Sequence, residues 1–257
     1  MTMLANWFRK YEQLILGIAG LFLVIILWQV VSASGWINPF LISSPYQILM
    51  AAIEQTTGSD LWADFRVTVI EFIAAFASAA VIGVSAGLLM GWFQRVEYVI
   101  DPFLWFLYST PIIAFYPLLI IWLGLGFNTV VMLGFLFAIT PIIINTYTGV
   151  KGTNPVLIRA ARSFGASKRQ ILLKIALPSA VPMIVTGWRI GVERALIGVI
   201  VGEMFSSNSG LGFRISYFGA KLQIPNLFVS LVLVILLGLL LTQSLRIVEK
   251  RLLKWQE

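Results

Sequence analysis

The stretch KGTNPVLIRAARSFGASKRQILLKIALP, residues 151–178, separates two long apolar runs and decides how the rest of the chain is arranged. It holds six basic residues and no acidic residue. Asn154 followed by Pro155 is typical of a helix start, because the Asn side chain caps backbone N–H groups and proline lacks one. Gly165 predicts the end of that helix, since glycine tolerates the left-handed conformation that closes many helices.

A second short helix is predicted within the same stretch. Ser167 and Gln170 have the spacing of a capping box, so we expect a helix to begin between them. Pro178 predicts the end of that helix, because proline removes a backbone donor and crowds the preceding turn. The first helix presents an apolar face that consists of Leu157, Ala160, Ala161 and Phe164. The stretch therefore predicts a structured, basic pair of helices on one side of a membrane.

The composition is that of a membrane protein. Hydrophobic residues make up 59% of the 257 residues and charged residues 11%, and the mean hydropathy is +0.93. Soluble domains carry about 25% charged residues. Since about 20 apolar residues span a bilayer as a helix, we expect an all-α membrane protein with about six transmembrane helices. The chain has no Cys and no His, so we predict neither a metal site nor a catalytic residue.

The apolar runs define six predicted spans. They cover residues 14–33, 66–93, 102–125, 129–149, 180–202 and 226–245. Between the first two spans, Pro45 opens a predicted short amphipathic helix. Small residues recur every four positions in the second span, at Ala75, Ala79, Gly83, Gly87 and Gly91. Such a stripe lets another helix approach closely in lipid.

Prolines and polar residues within the spans mark a candidate translocation path. The candidates are Pro111, Pro117, Asn145, Arg189 and Glu193. The prolines remove helical hydrogen bonds that lipid cannot replace, so they should face protein or water. Arg189 and Glu193 stand four residues apart, on one face of a helix. Charged groups at membrane depth cost about 2.5–3.5 kcal/mol each on insertion scales, so this pair either lines the path or forms a structural ion pair, which Glu71 could join.

Lys and Arg residues are distributed unevenly between the two sides that six spans define. Thirteen lie with the N-terminus, the 94–101 loop, the 151–178 loop and the C-terminal tail, and three lie on the other side. Loops rich in these residues stay in the cytoplasm. We therefore expect both termini and the 151–178 loop to be cytoplasmic. This distribution accounts for the net charge of +7 without nucleic acid as a partner.

The 151–178 loop also resembles the EAA motif of ABC-importer permeases, E-A-A-x3-G-x9-I-x-L-P. The matching residues are Arg159-Ala160-Ala161, Gly165 and Ile175-Ala176-Leu177-Pro178, with Arg159 in place of the motif's Glu. EMFSSNSGLGF at 203–213 and DPFLWFLYSTPIIAFYPLLIIWLGLGF at 101–127 resemble the branch that transports nitrate, taurine, alkanesulfonates, bicarbonate or thiamine-precursor pyrimidines. Together these matches cover roughly residues 60–250.

The resemblance implies a type I ABC importer transmembrane-domain fold over residues 61–250. A helix and an external amphipathic segment would precede it in residues 1–60, and a basic cytoplasmic tail, 251–257, would follow. The partners implied are a second copy of the chain, two ABC ATPase subunits and an external substrate-binding protein, at a bacterial inner membrane. The contact with the ATPase is assigned by resemblance to Leu157, Arg159, Ala160, Ala161, Phe164, Gly165, Ala166, Leu177 and Pro178.

ATP and Mg²⁺ are expected on the partner ATPase. This chain contains no Gly-x4-Gly-Lys-Ser/Thr phosphate loop, so we expect it to bind no cofactor itself. By resemblance, the Gly- and Ser-rich residues 206–212 lie at the external mouth near the docked binding protein. On the residues alone, they predict a flexible connector.

Two other classes of function compete with this interpretation. An ATP-independent secondary transporter or channel would also be helical, but such proteins often carry inverted repeats, and no similarity between the two halves of this chain is visible. An intramembrane enzyme is disfavoured, because the chain lacks His and Cys and no two Asp residues lie at membrane depth.

Overall fold

A computed structural model describes residues 2–34 and 42–252, and every regular element in them is helical. The long helices are α1 (Thr2–Ala33), α3 (Ser59–Trp92), α6 (Phe127–Lys151), α9 (Leu177–Ser206) and α11 (Ile224–Leu252). The shorter helices are α2 (Pro45–Thr56), α4 (Gln94–Ser109), α5 (Tyr116–Leu123), α7 (Pro155–Ser163), α8 (Lys168–Ile171) and α10 (Leu211–Ala220). Most of the predicted basic tail, residues 253–257, lies outside the described residues.

Five helices in the described ranges are long and apolar enough to cross a membrane, and a bent pair forms a possible sixth span. The bent pair consists of α4 and residues Ile112–Leu123, which meet at 94°. Thr110, the residue before Pro111, has an extended backbone with ψ 134°, as the proline ring demands of its predecessor. The predicted third span is therefore broken in the middle. It also begins earlier than the sequence predicts, because residues 94–101 are helical rather than a loop.

The direction of α3 and α6 shows that this broken pair crosses the bundle. A Cβ added at Gly83 would meet Ile142, and one added at Gly91 would meet Val150. Contacts that advance in the same sense along both helices mean that α3 and α6 run parallel. The chain between them must therefore return from the end of α3 to its start. With this return included, the described part of the chain crosses the bundle six times.

The two ends of the bundle carry different structures. The loop end holds α7, α8, the C-terminal end of α6 and the start of α9. The far end holds α2, α10 and the starts of α3, α6 and α11, where Gln55 of α2 donates to Asn226 of α11 at 2.8 Å. Trp28 near the end of α1 lies 5.6 Å from Phe228, centroid to centroid. The start of α1 and the end of α11 therefore both point toward the loop end.

Helix α6 is the centre of the bundle and packs between α3 and α9. The predicted small-residue stripe on α3 is confirmed, because a Cβ at Gly87 would approach Cβ of Thr146 to 2.6 Å. On the other side, a Cβ at Gly198 would lie 2.8 Å from the Cα of Gly134. Backbones this close give the tight dispersion contacts that hold helices together in lipid.

Candidate coupling loop and translocation groove

The first helix of the 151–178 loop, α7, has the predicted ends. The Asn154 side chain accepts a hydrogen bond from the Val156 N–H at 2.8 Å. At the other end Gly165 has φ +77°. The N–H of Gly165 donates to the carbonyl of Arg162, and that of Ala166 to the carbonyl of Ala161. These two bonds form a Schellman motif, which turns the chain sharply.

The second helix of the loop begins as predicted but does not end at Pro178. Ser167 and Gln170 form a complete capping box at the start of α8. A π-helical segment, Leu172–Ala176, follows and leads directly into α9. The N–H of Leu177, the residue after this segment, donates to the carbonyl of Leu172. This wider helical turn lets the helix continue through Pro178. The prediction of a helix end at Pro178 is wrong, and α8 is joined to the membrane helix without a loop.

The apolar face of α7 is open to solvent. Phe164 is 92% exposed and Leu157 51% exposed. Of the other residues assigned to the ATPase contact, Arg159, Ala160 and Gly165 are exposed, and Ala161, Ala166, Leu177 and Pro178 are half-buried. Beside Phe164 and Gly165 lies a hollow of about 310 Å³ that Ile171 and Lys174 also line. An aromatic ring this exposed, next to a hollow and outside the membrane-spanning segments, is typical of a docking surface.

An ion pair joins the base of this loop to the broken helix pair. The Lys151 Nζ at the end of α6 lies 2.6 Å from Glu97 Oε2 in the first turn of α4. The Tyr147 hydroxyl donates to the other Glu97 oxygen at 2.6 Å. We call these three residues the Glu97 clamp. Through this clamp Lys151, the first residue of the 151–178 loop, is bound to α4.

The bend between α4 and α5 opens a groove of about 830 Å³ between α4, α6 and α9. Its lining includes two of the predicted path residues, Pro111 and Asn145, together with Arg194. Pro117, Arg189 and Glu193 do not line it, and all three are exposed elsewhere on the surface. The structure thus brings together only part of the predicted path.

The predicted pairing of Arg189 with Glu193 is wrong. Among the described residues the salt bridges are Lys151–Glu97 and Arg214–Asp64, and neither contains Arg189 or Glu193. Glu71 does not join them either, since neither salt bridge contains it. Helical spacing allowed the pair, but both side chains are exposed on the surface of α9 and their charges lie farther apart than an ion pair permits.

A cluster of side chains at the far end caps the start of α10, within residues 203–225. Three side chains accept hydrogen bonds from the first backbone N–H groups of α10: Asp64 from Gly210 at 2.8 Å, Thr68 from Leu211 at 2.9 Å, and Glu203 from Gly212 at 2.7 Å. Acidic and hydroxyl groups at a helix start satisfy donors that the helix leaves open. The predicted flexible connector is therefore a short non-helical turn, residues 207–210, that leads into the capped start of α10.

Sequence reasoning missed the roles of Glu97, Tyr147 and the residues of the far-end cluster. Glu97 stood in a predicted loop, and its partner Lys151 is far from it in sequence, so no periodic pattern links them. Asp64, Thr68 and Glu203 come together only after α3 and α9 have packed. The single signal available was the placement of Glu203 in an apolar run, since a buried carboxyl needs partners.

Comparison with known proteins agrees with these features. The family model of the binding-protein-dependent transport system inner membrane component matches residues 79–254. The chain is 29% identical to the taurine transport system permease protein TauC of Escherichia coli (strain K12), over 95% of this chain and 90% of that protein. It is 32% identical to the formylaminopyrimidine transport permease protein ThiX of Halalkalibacterium halodurans, over 97% and 98% of the two chains.

A third relative is the putative aliphatic sulfonates transport permease protein SsuC of Bacillus subtilis (strain 168), 29% identical over 91% of this chain and 84% of that protein. Among solved structures, an inward-facing conformation of the MetNI methionine ABC transporter matches with a TM-score of 0.64 and 20% identity. It covers 72% of this chain and 92% of the matched chain. This likeness confirms the predicted fold, that of a type I importer permease.

Proposed function

This chain belongs to the family of binding-protein-dependent transport system inner membrane components, and from that premise we propose how its parts share the work of import. As a permease of this family it is a multi-pass inner membrane protein and the non-catalytic component of an ABC importer, which implies an ATPase and a binding protein as partners. We propose that the 151–178 loop is the coupling element that receives the movement of the ATPase.

The exposed ring of Phe164 is the observation that carries this proposal. An aromatic side chain that is 92% exposed gains from burial only in a partner, and the amphipathic α7 suits the helix-in-groove mode of recognition. The partner we name is the ATP-binding subunit of the importer. Arg159, Arg162 and the other basic residues around α7 favour an acidic rim on that subunit's cleft.

We propose that the loop end lies in the cytoplasm and the far end outside. The unequal distribution of Lys and Arg supports this orientation. The far end, with α2 and α10, then faces the substrate-binding protein. Two copies of the chain would form the complete permease, each facing the other across the groove beside Pro111, since that groove is open in a single chain. The division of the chain at residues 60 and 250 stays a prediction.

We propose a small solute of the taurine, sulfonate or formylaminopyrimidine type as the substrate, because three relatives are named for the transport of such solutes. The mechanism follows from the continuity of helices at the loop end. Because α8 passes into α9 through the π segment, a displacement of the loop moves α9 directly. The Glu97 clamp passes the same displacement to α4, and the groove between these helices opens and closes.

Capture of the ATPase tests this proposal. We would express the chain with its ATPase and binding protein and measure how much ATPase copurifies with Phe164→Asp. We expect most of the ATPase to be lost, because the charge cannot enter an apolar cleft without a large desolvation cost.

The matched control for that experiment is Leu222→Asp. Leu222 is 60% exposed and lies at the far end in the turn after α10, with a backbone φ of +55° that Asp tolerates. We expect it to keep the ATPase bound. Normal capture of the ATPase by Phe164→Asp would contradict the docking role of the loop.

A further inference from the structure

Arg194 places a positive charge in the groove beside the helix bend. It lies in the middle third of α9, and its side chain is exposed to the groove that Pro111 and Asn145 also line. Within the described ranges, no salt bridge contains Arg194. A guanidinium at membrane depth is stable only if it faces protein or water, so Arg194 marks the part of the groove wall at which a polar partner is expected.

Thr140 supplies a second unsatisfied polar group to the same groove. It lines the groove from α6 and is only 4% exposed. Its buried hydroxyl oxygen has no hydrogen-bond partner among the described residues. Buried hydroxyls are nearly always bonded in folded proteins, and one left open in a groove points to a ligand or water that completes it.

The remaining walls of the groove are mostly aromatic and aliphatic. Trp105 and Tyr108 line the groove from α4, opposite the polar groups of α6 and α9. Asn145 is held in place because its Nδ2 donates to the Pro141 carbonyl at 2.8 Å. Its side-chain oxygen therefore stays available. The groove thus combines one cation and several neutral polar groups with apolar and aromatic walls, the usual composition of a small-ligand site.

We propose that this groove is a transient binding site for the transported solute and that it selects solutes carrying a sulfonate or similar oxyanion. Arg194 would hold the oxyanion, because its planar fork matches two oxygens at once. Thr140 would donate its hydroxyl proton to a further oxygen. This inference rests on the proposed function, and it goes further by choosing the anionic solutes over the neutral pyrimidines.

Direct binding to the permease–ATPase complex tests the inference without the binding protein. The probe is radiolabelled ethanesulfonate, with ethyl methyl sulfone as its uncharged competitor. We expect saturable binding of ethanesulfonate that the sulfone does not displace. Arg194→Gln should weaken this binding by about 10- to 100-fold, the effect of losing a charge-assisted hydrogen bond, and Arg194→Lys should weaken it less.

Two variants separate binding from folding. Thr140→Val keeps the side-chain shape, so we expect a several-fold loss of binding with an unchanged melting temperature. Arg66→Gln removes an equal charge from an exposed position at the far end, and we expect it to bind ethanesulfonate normally. No saturable binding in the unmodified complex, equal displacement by the sulfone, or unchanged binding by Arg194→Gln would each overturn the inference.

ATP-driven uptake in proteoliposomes with the binding protein distinguishes the two proposals. Intact uptake together with no ethanesulfonate binding would overturn this site alone. A complex that does not couple ATP hydrolysis to uptake would overturn the proposed function as well.

Discussion

Glu203 and Gly212 are joined by a buried hydrogen bond, in which the Gly212 N–H donates to Glu203 Oε2 at 2.7 Å. Glu203 lies in the last turn of α9 and is fully buried, while Gly212 lies in the first turn of α10. A Cβ at Gly212 would meet the Ile200 carbonyl and lie 2.8 Å from the Glu203 Cβ. The contact therefore requires glycine, and it fixes the end of α9 to the start of α10.

Gly212→Ala is expected to destabilise the far end. The added methyl group collides with backbone that cannot move without disturbing α9, and overpacking of this kind costs about 1–3 kcal/mol. The melting temperature of the purified complex measures the effect. The control is Gly20→Ala, because a Cβ there meets nothing within 4 Å, and we expect no loss of stability from it. Equal melting temperatures for both variants would show that α10 is not packed on Glu203.

Gly165→Val is expected to uncouple the importer, whereas Gly165→Asn should keep most of its activity. No atom lies within 4 Å of a Cβ at this position, so only the left-handed backbone limits substitution. Asn adopts that conformation readily, and a β-branched residue pays about 1–2 kcal/mol or more. The measurement is uptake per ATP hydrolysed in proteoliposomes. Identical ratios for the two variants would argue that the turn between α7 and α8 has no part in coupling.

The Glu97 clamp is expected to transmit movement rather than hold the fold. Tyr147→Phe and Glu97→Gln should each lower uptake per ATP by about two- to thirty-fold, the range seen for residues along coupling networks. Because the Lys151 side chain is 43% exposed, its ion pair adds little to stability, and ATPase capture should be unchanged. A double-mutant cycle on uptake tests whether the two residues act together. Additive effects would mean that the clamp is not one unit.

Close packing of α3 on α6 predicts a strong effect of bulk at Gly87. In Gly87→Val the new side chain would begin 2.8 Å from the carbonyl of Ile143, so the helices must separate. We expect a loss of about 1–3 kcal/mol and less folded protein in the membrane. Ser85→Val is the control on the same helix, because Ser85 is exposed. The measurement is the fraction of each variant that stays folded in detergent. Equal fractions for Gly87→Val and Ser85→Val would refute the packing role of Gly87.

Local chemistry predicted the helix ends at Asn154, Gly165 and Ser167 in the 151–178 loop. The side chains or backbone of these three residues act on neighbours within a few residues. The stripe at Gly83, Gly87 and Gly91 was predictable for a similar reason, because periodicity alone marks a face. The π segment before Pro178 was not predictable. A proline always removes a hydrogen bond, but whether the helix ends or adjusts depends on how firmly the flanking helices are packed.

Contacts between distant segments account for the other differences. The bend at Pro111 and the return of α4–α5 across the bundle depend on the parallel packing of α3 and α6. Arg189 and Glu193 satisfied the helical spacing of an ion pair, yet the salt bridges of the described residues involve other partners. The groove around Arg194 exists only because three helices meet, so the sequence could indicate its prolines but not its full lining.

We propose that the loop bearing Phe164 lies in the cytoplasm and docks on the ATPase. Thiol labelling of this loop tests both its location and its docking. The chain contains no Cys, so Ser163→Cys, at an exposed residue next to Phe164, introduces a single reactive group and leaves the aromatic ring in place. We predict no reaction with a membrane-impermeant maleimide in intact cells, rapid reaction in inverted vesicles that lack the ATPase, and protection when the ATPase is bound. Labelling of this position from outside intact cells would contradict the account.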